Sequence, residues 1–332
     1  MQDFNWKNAL KKIMFSLIIP VGIFLIFAVL TNGRTASIRV ITTTFRQAIV
    51  PILICYGLMI NMTTGMVNFS AGAMMLCAGI IGGNIARATG TGVMGLILVC
   101  MSITVVLGLT TGLLYNLIRV PAMVLTIGLL MVFETIPRLL YPNGIVITGA
   151  MTMLSREPYN YYIFLAMGIF FYLLMHKTAF GHNLSAVGNN QAIAISAGLD
   201  IDKIKLLSFI FGSVFLGVAS VLHVSESGEL RNVSSLGSMA IMMDGFMGVF
   251  MSIFLSRYCN ITIAVVIGTY SMRFLSNGFV AMGFSSTARD IVQGLFLLVL
   301  LTISANAGFF EKRGADKTYA AAANQEALSI KK

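Results

Sequence analysis

V-M-G-L-I-L-V-C-M-S-I-T-V-V-L-G-L-T-T-G-L-L-Y-N-L, from Val93 to Leu117, contains no charged residue. A helix needs about 20 predominantly apolar residues to cross the hydrocarbon core of a bilayer, and this stretch exceeds that. Similar runs recur on either side of it. Before it lie Ile13 to Leu30, Ala48 to Met62 and Ser70 to Ala86. After it come Pro121 to Leu140, Tyr161 to Met175, Leu206 to His223, Gly237 to Ser256, Ile261 to Asn277 and Ile291 to Ala307. About ten transmembrane helices are expected, in an all-α, polytopic membrane protein. Composition agrees: of 332 residues, 57% are hydrophobic and 10% charged, with a mean hydropathy of +0.88. Soluble domains carry roughly 25% charged residues, so a water-soluble globular protein is excluded. Residues 1–310 read as a single transmembrane domain, and the Ala-rich, polar residues 311–332 as a disordered cytoplasmic tail.

The net charge of +10 does not point to nucleic acid, because the basic residues sit singly between apolar runs and at the two ends. An even number of crossings places both termini on one side. Lys7, Lys11, Lys12, Lys177, Lys203, Lys205, Lys312, Lys317, Lys331 and Lys332 then all fall in the N-terminal arm, the connection 176–205 or the tail. That bias makes the side cytoplasmic, although Arg34, Arg39, Arg46, Arg87, Arg156 and Arg231 fall on the other. The first apolar run is longer than the ~7–15 residues of a signal-peptide core and no A-x-A follows it, so it is expected to stay as an uncleaved span. Cys55, Cys77, Cys100 and Cys259 lie in or against apolar runs without C-x-x-C spacing, and read as packing residues.

Two connections depart from the pattern. Lys177 to Lys205 is too polar to cross, yet carries Ala192, Ile193, Ile195, Ala197 and Leu199 at helical spacing, which predicts a short amphipathic cytoplasmic helix. Between the second and third runs, Asn61, Thr63, Thr64, Gly65, Asn68 and Ser70 interrupt an otherwise continuous apolar stretch. Irregular backbone at membrane depth has to line a cavity or be buried in protein.

No catalytic constellation is present in the sequence. His176, His182 and His223 fall on opposite sides and cannot share a metal. There is no G-x-x-x-x-G-K-[ST] phosphate loop, and no cofactor is expected. Ser70 in F-S-A-G could suggest a membrane serine hydrolase, but no His or Lys lies at a compatible depth. The candidates are polar residues inside spans, which face a bundle interior or a pathway because lipid penalises them: Asn68, Asn116, Asp244, Arg273 and Asn277. Asp244 is expected to pair with Arg273, either structurally or as a proton relay, and the asparagines either bond neighbouring helices or line a route. Glu134 and Arg138, four apart on one helix face, either neutralise each other or meet an external partner. Gly79-x-x-x-Gly83 and Gly108-x-x-x-Gly112 are close-packing motifs.

Taken in order, the motifs resemble those of the inner-membrane permease subunits of ribose-, xylose- and galactoside-type ATP-binding-cassette importers. T-G-M-V-N-F-S-A-G-A at Thr64 to Ala73 is similar to T-G-G-I-D-L-S-V-G-S, and V-P-A-M-V-L-T-I-G at Val120 to Gly128 to V-P-A-F-I-V-T-L-G. Thr178 to Lys205 resembles T-x-F-G-R-x-x-Y-A-I-G-G-N-x-x-A-A-x-x-S-G-I-x-V-x-x-x-K. Leu275 to Phe279, with Gly283, Gln293 and Gly294, resembles the L-x-N-G-L…G…Q-x-x-x-G ending. The resemblance implies a multi-pass protein of the bacterial plasma (inner) membrane that works with a separate ATPase subunit, a second permease subunit, identical or not, and an extracytoplasmic solute-binding protein. It implies import of a small polar solute, most simply a sugar or sugar derivative. By the same resemblance, Phe180, Gly181, Gly188, Asn189, Ala194 and Gly198 belong to a coupling helix docked on the ATPase. Asn68, Ser70, Gly72 and Asn277 would lie by the pathway, with Asp244 added from its intramembrane charge.

The chain departs from the family pattern at Asn68, where an Asp is usual, at His182, where an Arg is usual, and at Glu134. It departs most at Asp244 to Ser252, D-G-F-M-G-V-F-M-S in place of a stretch resembling G-G-T-S-L-F-G-G. That leaves two readings open: a solute other than a pentose or hexose, or a non-identical partner permease that keeps the usual motif. A rival to the importer is an ion- or proton-coupled secondary transporter using Asp244 and Arg273.

Overall fold

The computed structural model describes residues 20–302, apart from positions 32, 34, 36, 257, 258, 286, 289, 290, 293, 297, 300 and 301. The N-terminal lysines, the start of the first run, Gln293, the end of the last run and the tail lie outside the described residues. Eleven described helices follow one another: α1 Pro20–Leu30, α2 Ile38–Thr63, α3 Ala71–Thr89, α4 Gly92–Ile118, α5 Ala122–Leu140, α6 Tyr159–Lys177, α7 Ala179–Asn189, α8 Gln191–Ser196, α9 Ile201–Ser227, α10 Met239–Leu255 and α11 Ile261–Ala281. The described residues of 287–302 are also helical. Seven of these helices, α2 to α6, α9 and α11, are long and apolar enough to cross a membrane, and α1 and α10 are shorter apolar helices. The protein is thus a polytopic helical membrane protein. Among the described residues, a 3-10 turn at Gly149–Ser155 and a two-residue antiparallel pair, β1 Ile145–Val146 with β2 Glu229–Leu230, interrupt the α structure.

The expected second span is too short by about ten residues at its start. Ser37 caps α2 by accepting from Val40 N, and the helix runs through T-T-T-F-R-Q before reaching the apolar stretch. Thr44 and Gln47, which precede the expected start at Ala48, are tolerated inside because both accept from Asn277 Nδ2, at 3.0 and 2.9 Å. The expected span at Leu206 to His223 is likewise a longer helix, α9, capped by Asp200, whose Oδ1 accepts from Lys203 N at 3.1 Å.

Every residue of α2 from Ala48 to Asn61 is buried, so α2 is the centre of the bundle rather than a lipid-facing helix. Small residues permit this. A Cβ on Gly57 would stand 2.7 Å from the Gly212 carbonyl oxygen of α9, so only glycine lets the two backbones approach this closely. Tyr56 fills the space beside that crossing, stacked on Phe171 of α6 at 4.3 Å. The Gly108 and Gly112 motif of α4 packs on Ser213 and Leu206 of α9, while Gly79 and Gly83 of α3 meet Val224 and Ile145.

The break between α2 and α3 spans residues 64–70, with Thr64, Met66, Asn68 and Ser70 buried, Val67 and Phe69 partly buried and Gly65 exposed. Ser220 Oγ of α9 donates to Met75 O of α3 at 2.7 Å. At 1.5 Å per residue, Ser220 lies roughly 28 Å along α9, so α3 starts well inside the bundle. The ends are sorted into two faces by contact. The end of α2 touches α7 through Thr63 and Gly188, and Asn116 near the end of α4 donates to Asp202 O at 2.9 Å. The β1–β2 pair marks the opposite face.

Candidate functional site

Helices α2, α9, α10 and α11 line an open cavity of about 400 Å3 with mixed polar and apolar walls. From α2 come Gln47, Val50, Pro51 and Ile54; from α9, His223, Glu226 and Ser227; from α10, Ala240, Ile241 and Asp244; and from α11, Arg273. Pro51 has no N–H to donate to the Gln47 carbonyl one turn earlier, so the helix gives up a backbone bond at the cavity wall. Asp244 Oδ2 and Arg273 Nη1 form an ion pair at 2.8 Å, with side chains 35% and 27% exposed. Two carboxyl groups, Asp244 and Glu226, share the cavity wall with one guanidinium, Arg273, and the His223 imidazole. Its size is that of a site for a small solute, and mixed donors and acceptors suit a polar one.

Two of the expected pathway residues belong to this region. Asp244 lines the cavity, and Asn277 braces its wall through Gln47. The other three sit at the start of α3, away from the cavity. Asn68 Oδ1 accepts from Ser70 N at 3.1 Å and Ser70 Oγ at 2.7 Å, closing a local turn, and both residues are buried. Phe69 N donates to Thr126 Oγ1 of α5 at 3.1 Å, fixing the break to a neighbouring helix. Gly72 lies directly beneath the Ser238 carbonyl oxygen, where a Cβ has no room. Glu134 and Arg138 do not pair. Glu134 Oε1 accepts from Ser238 N at 2.8 Å, and Arg138 Nη2 donates to Val233 O at 2.7 Å, so both hold the segment before α10. A backbone partner outcompetes the i,i+4 pair because the chain passes within reach of both heads. Gln47, His223, Glu226 and Ser227 were missed as cavity residues.

The polar connection forms two helices where one was expected, because Asn190 ends α7 and caps α8. Its Oδ1 accepts from Ala192 N at 3.0 Å and Ile193 N at 3.2 Å. Thr178 caps α7, accepting from Gly181 N at 3.3 Å, and Gly181 turns tightly against the last carbonyls of α6. Gly198, at φ +80°, closes α8, with Leu199 N donating to Ala194 O at 3.0 Å. The Lys203 ammonium, bonded to the Asp200 carboxylate at 3.0 Å, holds that carboxyl below its ordinary range.

The six expected coupling residues divide by direction. Phe180 packs on Phe211 of α9 with ring centroids 4.7 Å apart, and Gly181 and Ala194 are buried. Gly188 is pressed on the Thr63 carbonyl of α2. These four tie the connection to the bundle, while Asn189 and Gly198 are exposed. The exposed apolar groups are instead Ile193 and Ile195, 66% and 61% exposed, on a short, doubly capped helix.

Residues 40–301 match the family described as branched-chain amino acid transport system / permease component. Among similar proteins is the autoinducer 2 import system permease protein LsrC of Yersinia enterocolitica, 26% identical over 275 residues, which are 80% of this chain and 75% of that one. LsrC of Photorhabdus luminescens is 23% identical over 293 residues, 85% of this chain and 87% of its own. LsrC of Yersinia pestis is 25% identical over 275 residues, 80% and 77% of the two chains. No solved structure matches.

Proposed function

The chain belongs to the permease-component family of branched-chain amino acid transport systems, and from that premise we propose how it works as the membrane subunit of an ATP-binding-cassette importer. It is a multi-pass permease of the bacterial inner membrane, and such permeases act with an ATPase and an external binding protein. In the proposed arrangement ten helices cross, and both termini are cytoplasmic. The face carrying the end of α2, the end of α4, α7 and α8 also carries Lys177, Lys203 and Lys205, which supports its being cytoplasmic. Hydrolysis belongs to the ATPase, and a second permease completes the pathway.

The observation that carries the coupling assignment is the exposed Ile193 and Ile195 pair on a helix rigidly tied to the bundle. A cleft of the ATPase takes up these two side chains. Its closure then pushes α8 and α7 as a unit. Gly188 passes that push to the end of α2 and Phe180 passes it to α9. Both helices wall the cavity, through Gln47, Pro51 and Ile54 on one and His223, Glu226 and Ser227 on the other. Close-packed interiors move as rigid bodies rather than deform, so a push at the cytoplasmic end repositions the cavity wall.

The solute is a small polar molecule, a sugar or sugar derivative, in keeping with the mixed polar lining. The relatives are named for autoinducer 2 import, so that molecule is the first to try. The test is co-purification of the tagged chain from its native membrane in mild detergent, with mass spectrometry, for wild type and Ile193→Asp with Ile195→Asp. The ATPase accompanies wild type and is lost from the double variant, and the same sample shows whether the second permease is another copy or a different chain. Absence of any ATPase from wild type would overturn the reading.

A further inference from the structure

Beside the open cavity, α2, α10 and α11 leave a second, smaller space of about 10 Å3, lined by Pro51, Asp244, Met247, Thr269, Met272 and Arg273. Three of these residues, Pro51, Asp244 and Arg273, also line the cavity. The others place the space deeper. Met247 lies three residues further along α10 than Asp244, and Thr269 lies four residues before Arg273 on α11, which is about 4.5–6 Å further from the β1–β2 face. Its volume is close to the least that holds one water-sized oxygen, roughly 10–15 Å3.

Two atoms of these lining residues, Thr269 Oγ1 and Arg273 Nε, are buried and make no hydrogen bond. Such atoms are rare in folded proteins, because a buried donor or acceptor left unpaired bears its whole desolvation cost. Thr269 is 1% exposed and seated against Gly248 of α10, where a Cβ would collide with its hydroxyl. Arg273 commits Nη1 to Asp244 Oδ2 at 2.8 Å, which leaves Nε outside the ion pair. The Cys55 thiol of α2 is a polar neighbour of Thr269, but a thiol is a weak partner and this one lies 3.8 Å from Ser252 Oγ. Thr269 and Arg273, four residues apart, stand one above the other on a single face of α11.

We propose that this space is the inner subsite of the cavity and takes a single hydroxyl group of the solute. The hydroxyl oxygen accepts from Arg273 Nε and pairs with Thr269 Oγ1, and its proton is available to the Asp244 carboxylate. A carbonyl or carboxylate oxygen would meet that carboxylate with no proton to give, and an ammonium group would meet the guanidinium. The subsite therefore selects a neutral polyol, and its volume admits one oxygen and nothing larger. Thr269 is then a specificity-determining residue. The proposal rests on the permease reading, since a solute subsite presupposes a pathway.

The test uses the assembled importer in proteoliposomes with its own binding protein, supplied with autoinducer 2 or D-ribose and with analogues of each that lack one hydroxyl. Thr269→Val keeps the volume and removes the hydroxyl, and the chain is expected to fold because that hydroxyl has no hydrogen bond to lose. The binding protein is common to all preparations, so its own preference cancels between variants. Wild type prefers the parent solute over one of the analogues, and in Thr269→Val that preference shrinks about five- to tenfold. Thr269→Ser, which keeps the hydroxyl, retains it. A preference unchanged in Thr269→Val for every analogue would overturn the subsite, as would uptake of neither parent solute by a wild-type complex that retains its ATPase. Loss of the ATPase from wild type is instead a failure of the permease reading. A high-resolution map of wild type tests the subsite without transport. With saturating solute, a solute oxygen within hydrogen-bond distance of both Arg273 Nε and Thr269 Oγ1 is expected; a water there, or no oxygen at all, would overturn the proposal.

Discussion

Replacing Gly188 by Ala tests the mechanical link at its narrowest point. A Cβ there stands 3.0 Å from the Thr63 carbonyl carbon and closer still to its oxygen, neither of which is the movable end of a side chain. Ordinary contact between such atoms is about 3.5–4.0 Å, and the oxygen is the nearer of the two, so α7 has to retreat from α2 by roughly 1.5–2 Å. Overpacking of this kind costs about 1–3 kcal/mol. α7 remains anchored through Phe180 on Phe211 and by its buried Leu184 and Val187, so the segment shifts rather than unfolds. ATPase binding through Ile193 and Ile195 is retained. The push that α7 delivers to α2 is weakened, and each 1.4 kcal/mol lost there lowers uptake about tenfold. The assay is paired measurement of ATP hydrolysis and solute uptake by the reconstituted complex. Uptake per ATP hydrolysed falls in Gly188→Ala and falls further in Gly188→Val. Unchanged uptake per ATP in both variants, with normal complex yield, would refute the link.

Other outcomes follow from the same geometry. Asp244→Asn breaks a half-exposed ion pair worth about 1 kcal/mol, so uptake drops about fivefold, and the exchange of Asp244→Arg with Arg273→Asp recovers part of it. Tyr56→Ala empties a fully buried aromatic site between α2 and α6 at a cost of about 3–5 kcal/mol, read as a lower thermal-unfolding temperature in detergent, whereas Tyr56→Phe keeps the ring and most of the stability. Asp200 caps α9 with a carboxyl depressed by the Lys203 hydrogen bond. Its contribution is therefore complete above the ordinary carboxylate range and is lost as pH falls through the depressed value; hydrogen exchange at Lys203 N quickens across that acid range in wild type and is already quick and flat with pH in Asp200→Ala.

The helical class was readable because lipid imposes one rule, that backbone polar groups be satisfied within the segment. Val93 to Leu117 and Pro121 to Leu140 satisfy it with mostly apolar side chains, and both emerge as α4 and α5 nearly to the residue. α2 was cut short because Thr44 and Gln47 are satisfied by Asn277, more than two hundred residues away in sequence. Local hydropathy cannot register such a partner. The same distance hid the cavity. Asp244 and Arg273 stood out as charges inside apolar runs, and the pairing expected between them is present. Gln47, His223 and Glu226 lie near run ends, where polar residues are ordinary, and become wall residues only once α2 and α9 pack together. Glu134 and Arg138 were read from helix spacing, which gives their common face but not the strand of chain that passes over it. In the connection, spacing identified Ile193 and Ile195 as apolar positions, but which side of α8 faces outward depends on Ala194 being buried against the bundle.

The most direct test of the central claim is solute uptake by proteoliposomes holding this chain with its partner permease, ATPase and binding protein, beginning with autoinducer 2 and sugars. The account predicts uptake that needs ATP and the ATPase, is lost when Ile193→Asp and Ile195→Asp are combined, and is absent from vesicles holding this chain alone. Uptake by the chain alone, driven by an ion or proton gradient and abolished by Asp244→Asn, would contradict it.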